Sequence, residues 1–311
     1  MTRRPSVPLL GAAGALAASV ALGLAAGPAG WRSPFALDGF TFELRAPRVL
    51  LAGLVGASLA VAGVAMQALL QIDLADPYIL GVSGGASAGA VASLALGLPP
   101  GPAAALGAAG AVGLVRGLAR GPFDPARLVL AGVAVGSVLA ALTGLVLVLA
   151  PADHLLRSAT FWLFGGVGTP RWSTLVWPLV TFAAATGWMR LRAERLDRLT
   201  LGPDVATSLG VDVDALGRGV LVSAVALTAV AVAAAGLVGF VGLLAPHAAR
   251  RWVGAGHRRL LPAAAVGGAL LLVVADTGAR TLFAPREVPV GLVTAVLGGP
   301  FFLWQLQRGS P

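Results

Sequence analysis

The sequence predicts an all-α polytopic membrane protein with about ten transmembrane helices. Of its residues, 57% are hydrophobic and only 11% are charged, the mean hydropathy is +0.88, and apolar windows recur from end to end. The 43 glycines, together with abundant alanine, are typical of helices that pack closely within a membrane. We therefore expect residues 1–311 to form a single transmembrane domain.

Ten spans result when the chain is divided at its Gly/Pro breaks and charge clusters. The first follows Arg3 and Arg4; a signal peptide is the alternative, and a retained helix is favoured because the chain continues as a multispan protein. Each window is long enough for a membrane helix if short glycine-rich ones are included. The predicted spans are 7–27, 47–70, 78–98, 101–118, 127–149, 172–189, 219–238, 240–253, 260–282 and 289–306.

The distribution of arginine predicts the orientation. With the N-terminus inside, most of the 22 basic residues fall in the cytoplasmic segments, as the positive-inside rule requires. An even number of spans then places both termini in the cytoplasm. The charged segment 190–218 lies on the same side.

Several kinds of chemistry are excluded by residues that the sequence lacks. Without lysine there is no P-loop, so we expect no ATP hydrolysis by this chain. Without cysteine there are no disulfides or thiolate metal sites. His154, His247 and His257 show no metal-ligand spacing, and His247 is interpreted as a packed helix-end group. The scattered arginines form no basic stripe, which argues against nucleic-acid binding. We predict no catalytic residue, no metal site and no bound cofactor.

Asp276 is the clearest ionisable residue inside a span, where charge is costly to bury. Arg280 follows four residues later on the same helix face, so a structural ion pair and a transport role both remain open. A proton-driven carrier is expected to show several such carboxylates along its path. Their absence from the sequence indicates that the energy for any transport comes from elsewhere.

Two segments resemble each other weakly. Gly63–Leu70 and Gly236–Leu244 each follow an Ala/Val-rich helix and lead into a break that contains proline. They lie in opposite orientations in the predicted topology. This is consistent with an inverted repeat, as found in many transporters.

The cytoplasmic segment 190–218 contains a short amphipathic helix after a group of arginines that the positive-inside rule explains. Leu201 to Asp204 predict a turn into a helix, with proline in the first turn and aspartate where the helix dipole favours an anion. Val205, Ala206 and Leu209 form one apolar face, and Gly210 ends the helix. A helix of this kind outside the membrane is predicted to dock into a groove on another protein.

The chain resembles the FecCD-type permease subunits of bacterial ATP-binding-cassette (ABC) importers for ferric siderophores, haem and cobalamin, including the cobalamin permease. The resemblance covers nearly the whole chain, and its motifs follow the family's order and spacing. They are LRAPR at 44–48, MQALLQIDLADPYILGVSGGASAGA at 66–90, LAGVAVG at 130–136, FWLFGGVGT at 161–169, the run from Gly239 through AD at 275–276 and AR at 279–280, EVPVG at 287–291 and LGGPFFLW at 297–304.

The resemblance implies an ABC importer permease of the type II fold, in the bacterial inner membrane, that carries an iron chelate or cobalamin. Its implied partners are a second copy of this chain, two cytoplasmic ATPase subunits that hold ATP and Mg²⁺, a periplasmic or lipid-anchored substrate-binding protein, and membrane lipid.

The resemblance also implies three sets of site residues. Cytoplasmic coupling helices at about 199–217 would contact the ATPase, although Pro203 stands where the family usually has glutamate. The fifth span would line the translocation path at the dimer axis, and outer arginines would receive glutamates from the binding protein. The coupling residues are Leu201, Gly202, Asp204, Val205, Ala206, Leu209 and Gly210; the path residues are Ser137, Ala140, Ala141, Thr143 and Gly144; the docking residues are Arg45, Arg48 and Arg280.

Simpler explanations exist for several of these residues. Ser137 and Thr143 are expected to bond back to carbonyls of their own helix. Snorkelling to lipid headgroups would explain the outer arginines. An ion-coupled secondary transporter and an intramembrane enzyme are the alternative function classes, and neither paired intramembrane carboxylates nor a buried nucleophile with a base is visible in the sequence.

Overall fold

The computed structural model describes residues 7–27, 30–31, 38–121, 124–149, 153–282, 284 and 286–307. This part of the chain contains thirteen α-helices, a hairpin of strands β1 (Ala26–Gly27) and β2 (Gly30–Trp31), and two 3-10 helices, Pro77–Leu80 and Trp172–Leu175. The α-helices are α1 (Val7–Ala25), α2 (Gly39–Leu70), α3 (Val82–Ala95), α4 (Pro100–Leu118), α5 (Pro125–Leu149), α6 (Asp153–Leu163), α7 (Val176–Leu191), α8 (Ala193–Leu199), α9 (Pro203–Ser208), α10 (Val213–Ala235), α11 (Val241–Val253), α12 (His257–Thr281) and α13 (Val290–Gln307).

All ten predicted spans coincide with helices, so the all-α polytopic fold is confirmed. Five helices, α2, α4, α5, α10 and α12, are both long and apolar enough to cross a membrane by length and composition. Helix α6 was not predicted, because its charged first turn interrupts the apolar pattern. The arginines at positions 3, 4 and 308, which support the predicted orientation, lie outside the described residues, as does Arg32 of the predicted outer side.

Helices α2 and α12 form the centre of the fold. They cross where Gly56 meets Gly268, and a Cβ on either glycine would overlap the carbonyl oxygen of the other. Glycine is therefore required at both positions, as at close helix crossings in membranes generally. In α2, 83% of the most apolar 18-residue window is buried inside the chain.

The two similar segments, Gly63–Leu70 and Gly236–Leu244, contact each other where the helices are interrupted. After α2 ends at Gln71 in the left-handed conformation, Asp76 caps the 3-10 helix by accepting a hydrogen bond from Tyr78 N. On the other side, the backbone N–H of Val238 donates to the Tyr78 hydroxyl at 3.3 Å. A Cβ on Gly63 of the first segment would overlap the backbone carbonyl of Gly242 in the second, and a Cβ on Gly242 would overlap the ring of Pro77.

Helix α5 lies at the edge of the molecule. Only 11% of its most apolar window is buried, against 83% for α2. It packs on the 3-10 helix Pro77–Leu80 and on α3. A side chain on Gly132 would overlap the backbone at Leu80, and a side chain on Gly84 of α3 would overlap the carbonyl oxygen of Gly136. The opposite face of α5 is open along its whole length.

Candidate functional site

Segment 190–218, predicted to be cytoplasmic, exposes three large apolar side chains around α9. Leu201, Val205 and Leu209 are 62%, 45% and 48% exposed. Val205 and Leu209 lie one helical turn apart on the same face, and Leu201 stands just before the helix. Asp204 is also exposed. An exposed apolar stripe of this kind, in a segment rich in charged residues, is the usual mark of a protein contact.

Local sequence explains why α9 begins and ends where it does. Gly202 precedes it with a φ of 108°, which favours glycine, and Pro203 occupies its first turn. Gly210, with a φ of 78°, reverses the chain after the last turn. The backbone N–H of Val211 then donates to Ala206 O at 3.0 Å, which closes the segment onto itself.

Ala206 does not belong to the exposed face. Its side chain is fully buried, whereas Leu201, just before the helix, is the third exposed apolar side chain of the stripe. This corrects the predicted face of Val205, Ala206 and Leu209: the helix is so short that its buried side must hold α9 against the rest of the chain.

Helix α8 anchors this segment to the two central helices. Asp197 accepts hydrogen bonds from the backbone N of His257 at 2.9 Å and lies 2.6 Å from its Nδ1, so it caps the start of α12. Gln71, at the end of α2, donates from Nε2 to Leu199 O at 2.8 Å. Burial would raise the pKa of Asp197, but the bonds and charge of His257 outweigh it and hold that pKa below its ordinary value of 3.8.

The predicted path residues of α5 divide into two groups. Ser137, Ala140, Ala141 and Gly144 are exposed on the open face, at the spacing of one helix side. Thr143 is only 6% exposed in the single chain, and its place in the path stays a prediction. As expected, the hydroxyls of Ser137 and Thr143 donate to their own helix, at Val133 O and Leu139 O.

A buried ion network lies at the opposite end of α2 and α12. Arg48 Nη2 is 3.1 Å from Asp276 Oδ1, and Arg48 Nη1 is 3.1 Å from Glu287 Oε1. Arg280 Nε lies 3.5 Å from the second oxygen of Asp276, so the ion pair, one of the two alternatives left open for Asp276, is present in the structure. Arg48 bridges the two carboxylates, and Asp276 is shared by two guanidinium groups.

Two arginines also cap the end of α1. Arg45 Nη1 donates to Leu24 O at 2.9 Å and to Ala25 O at 2.7 Å, and Arg280 Nη2 donates to Gly23 O at 2.6 Å. The last carbonyls of a helix have no partner within it and carry its partial negative charge. These arginines satisfy them.

In this structure the predicted docking residues Arg45, Arg48 and Arg280 are not free cations. They are 8%, 8% and 2% exposed, and each is already bonded within the chain. Snorkelling to lipid is equally inconsistent with such burial. Docking therefore stays a prediction, and it requires an exchange of partners that is easiest at Arg48, whose partner Glu287 has a 36% exposed side chain.

Sequence reasoning missed three residues of this arrangement. Glu287 appeared only as part of a motif, and Gln71 and His257 were given no role in the site. A carboxylate next to an outer arginine at position 286 could have indicated Glu287. Nothing local could have linked position 71 to 199 or 197 to 257.

The comparisons with known proteins decide the family. A profile of the FecCD transport family matches residues 10–308. The chain belongs to the FecCD transport family. Among its relatives, this FecCD chain is 42% identical to the haemin transport system permease protein HmuU of Yersinia pestis over 86% of this chain and 82% of the relative.

Other FecCD relatives differ in what their names say they carry. The Fe(3+) dicitrate transport system permease protein FecD of Escherichia coli is 42% identical, over 86% of this chain and 84% of the relative. The vitamin B12 import system permease protein BtuC of Salmonella typhi is 38% identical, over 87% and 84%. This FecCD chain is thus a transport permease and not an enzyme, and its relatives give no support to the ion-coupled alternative.

Solved structures agree on the fold. A transporter assigned to the metal-chelate type of ABC transporter, in an inward-facing conformation, is 30% identical with a TM-score of 0.90 and covers 98% of this chain and 100% of that chain. PsaBC from Streptococcus pneumoniae, in complex with a Fab, matches with a TM-score of 0.60 at 16% identity over 86% of this chain and 91% of that chain, which indicates the fold alone.

Proposed function

We propose that this FecCD permease is the membrane subunit of an ABC importer for a metal chelate or corrinoid: haem, a ferric chelate or cobalamin. The observation that carries this is the exposed stripe of Leu201, Val205 and Leu209, presented on a segment anchored to both central helices. Movement of a separate ATPase docked on this stripe would be transmitted directly to α2 and α12. ATP and Mg²⁺ are held in that subunit, and this chain binds no cofactor.

A homodimer is supported by α5. Its open face carries exposed apolar residues along its length, including Leu130, Val138 and Val148. The small path residues Ser137, Ala140, Ala141 and Gly144 lie among them and leave a smooth surface. A second copy that faces α5 would enclose a path between two such surfaces, suited to a bulky ligand.

A periplasmic or lipid-anchored binding protein delivers the substrate at the end of the molecule that holds the ion network. A glutamate from this partner would replace Glu287 on Arg48, because both carboxylates fit the same planar guanidinium fork. The membrane is the bacterial inner membrane with both termini in the cytoplasm, which is supported by the arginine distribution.

Uptake by proteoliposomes tests the proposal. We expect that the permease, reconstituted with its ATPase and binding protein, takes up one of haem, ferric dicitrate or cobalamin only when ATP and Mg²⁺ are supplied on the ATPase side. Vesicles without the ATPase serve as the control. Uptake by those control vesicles under a proton or sodium gradient would contradict the proposal and favour the ion-coupled carrier.

A further inference from the structure

Two adjoining cavities lie at the cytoplasmic end of α7. The first, here called the basic cavity, has a volume of about 700 Å³ and is lined by Arg190, Arg192, Arg195 and Arg258, with Glu194 as its single acidic residue. The second, here called the apolar groove, has a volume of about 630 Å³ and runs between α7 and α10 past Val180, Ala184, Val222 and Ala226.

The two cavities meet at Trp188. Its ring packs on Gly219, which has no side chain to block it, and forms part of the apolar groove. The guanidinium of Arg192 lies over the same ring, 4.3 Å from its centroid, and forms part of the basic cavity. Arg218 adds a further charge at the end of the groove. Tryptophan is typical of the boundary between hydrocarbon and headgroups.

The positive charges of the arginines in the basic cavity are not neutralised by salt bridges within the described residues. Among the described residues, no carboxylate lies within salt-bridge distance of Arg190, Arg192, Arg195 or Arg258, although Glu194 lines the same cavity. Arg190, Arg195 and Arg258 are exposed. The positive-inside rule explains why arginines occur here, but not why they converge on a cavity that adjoins an apolar groove in the membrane.

We propose that the basic cavity and the apolar groove together bind one anionic phospholipid of the inner leaflet, with its phosphate among the arginines and an acyl chain between α7 and α10. The groove follows α7 from Val180 to Trp188, about 12 Å at 1.5 Å per residue, which approaches half of a hydrocarbon core of about 30 Å. Basic pockets beside transmembrane helices on the cytoplasmic side suit such headgroups. A zwitterionic lipid fills the groove, but its headgroup cation offsets the phosphate, so it supplies no net negative charge to the arginines.

Native mass spectrometry of the purified, delipidated permease with its ATPase tests this site. Equal amounts of dioleoyl phosphatidylglycerol and dioleoyl phosphatidylcholine, which share their acyl chains, are added together. We expect retained phosphatidylglycerol to exceed phosphatidylcholine, and its retention to fall about fivefold for each of Arg190→Gln and Arg258→Gln, from about 1 kcal/mol per arginine near an anionic headgroup. Arg120→Gln, an exposed arginine at the end of α4, is the matched control and should change nothing.

The groove requires a second variant. Val222 is 68% exposed and lines the groove, so Val222→Trp should fill it without disturbing the core and lower retention of both lipids. Equal retention of the two lipids by the unmodified protein would overturn the proposal. So would loss of the ATPase, with unchanged phosphatidylglycerol, in Arg190→Gln and Arg258→Gln, because the basic cavity would then be a protein contact.

Discussion

At the scale of single residues, burial decides the role of a side chain more than its type does. Ala206 and Val205 are neighbours in α9, yet one is fully buried and the other is 45% exposed. The same holds for Arg48, which is an ion-pair partner of Asp276 inside the molecule rather than a free charge at its rim. Substitutions at such residues should therefore separate loss of folding from loss of partner binding.

The first prediction compares two substitutions to glutamate in α9. Val205→Glu should leave the thermal midpoint of the permease unchanged but weaken ATPase binding at least about tenfold, or 1.4 kcal/mol, because the apolar stripe is interrupted. Ala206→Glu should instead lower the midpoint, since an unpaired buried charge costs several kcal/mol. Thr207→Glu, exposed on the same helix, is the control. Normal ATPase co-purification with Val205→Glu would refute the coupling assignment.

The second prediction concerns the ion network. Arg48→Met should destabilise the permease by about 3–5 kcal/mol, because Asp276 is left buried with a weaker partner. Adding Asp276→Leu should recover part of this loss, since no unpaired charge remains. Thermal unfolding of the single and double variants measures the coupling. Glu287→Gln is the control and should have a smaller effect, as its side chain is 36% exposed.

The third prediction uses the bond between Asp197 and His257. Asp197→Asn and His257→Ala should each lower transport per ATP hydrolysed without releasing the ATPase, and the double variant should lose no more than either. The pKa of Asp197 is lowered in the folded protein. The stabilisation that its carboxylate contributes is therefore complete above about pH 3.8, its ordinary pKa, and is lost as the pH falls through the lower pKa of the folded state. Coupling should therefore be insensitive to this group between about pH 5 and 8. Additive effects in the double variant would argue against a shared contact.

At the scale of elements, glycine positions decide which helices can approach. Gly56 and Gly53 lie one turn apart on α2, but only Gly56 faces the backbone of α12. At Gly53 an added Cβ would lie 3.6 Å from Val273 Cγ2, which is an ordinary contact.

The fourth prediction follows from this pair. Gly56→Ala should abolish or strongly reduce the yield of folded permease, because α2 and α12 must separate to admit the methyl group. Gly53→Ala is the matched control and should be neutral. Size-exclusion profiles and thermal midpoints in detergent compare the two. Equal behaviour would show that the crossing is looser than described.

The fifth prediction concerns α5, in a chain with no cysteine of its own. Single cysteines at Ala140 and Gly144, on the exposed face, should crosslink between two copies in at least one nucleotide state. A cysteine at Thr143 should crosslink poorly, because that position is buried within its own chain. Failure of every exposed position from 136 to 147 to crosslink in all states would count against the homodimer at this helix.

At the scale of the whole molecule, α2 and α12 connect two distant regions. At one end of the pair, Gln71 and His257 hold α8, and the opposite end holds Arg48 and Asp276. Between these ends they are locked together at Gly56 and Gly268. Movement of a docked ATPase would therefore reach the ion network through a pair of helices that shift as one body.

The amino-acid sequence by itself determined the membrane class and the ten spans, and it predicts the orientation, because apolar length and arginine placement are local properties. It also determined the limits of α9, since glycine and proline act on their own backbone. Only the tertiary structure decided which face of α9 is exposed and which arginines are buried. Arg48 and Asp276 are 228 positions apart, and such a pair forms only where two helices cross.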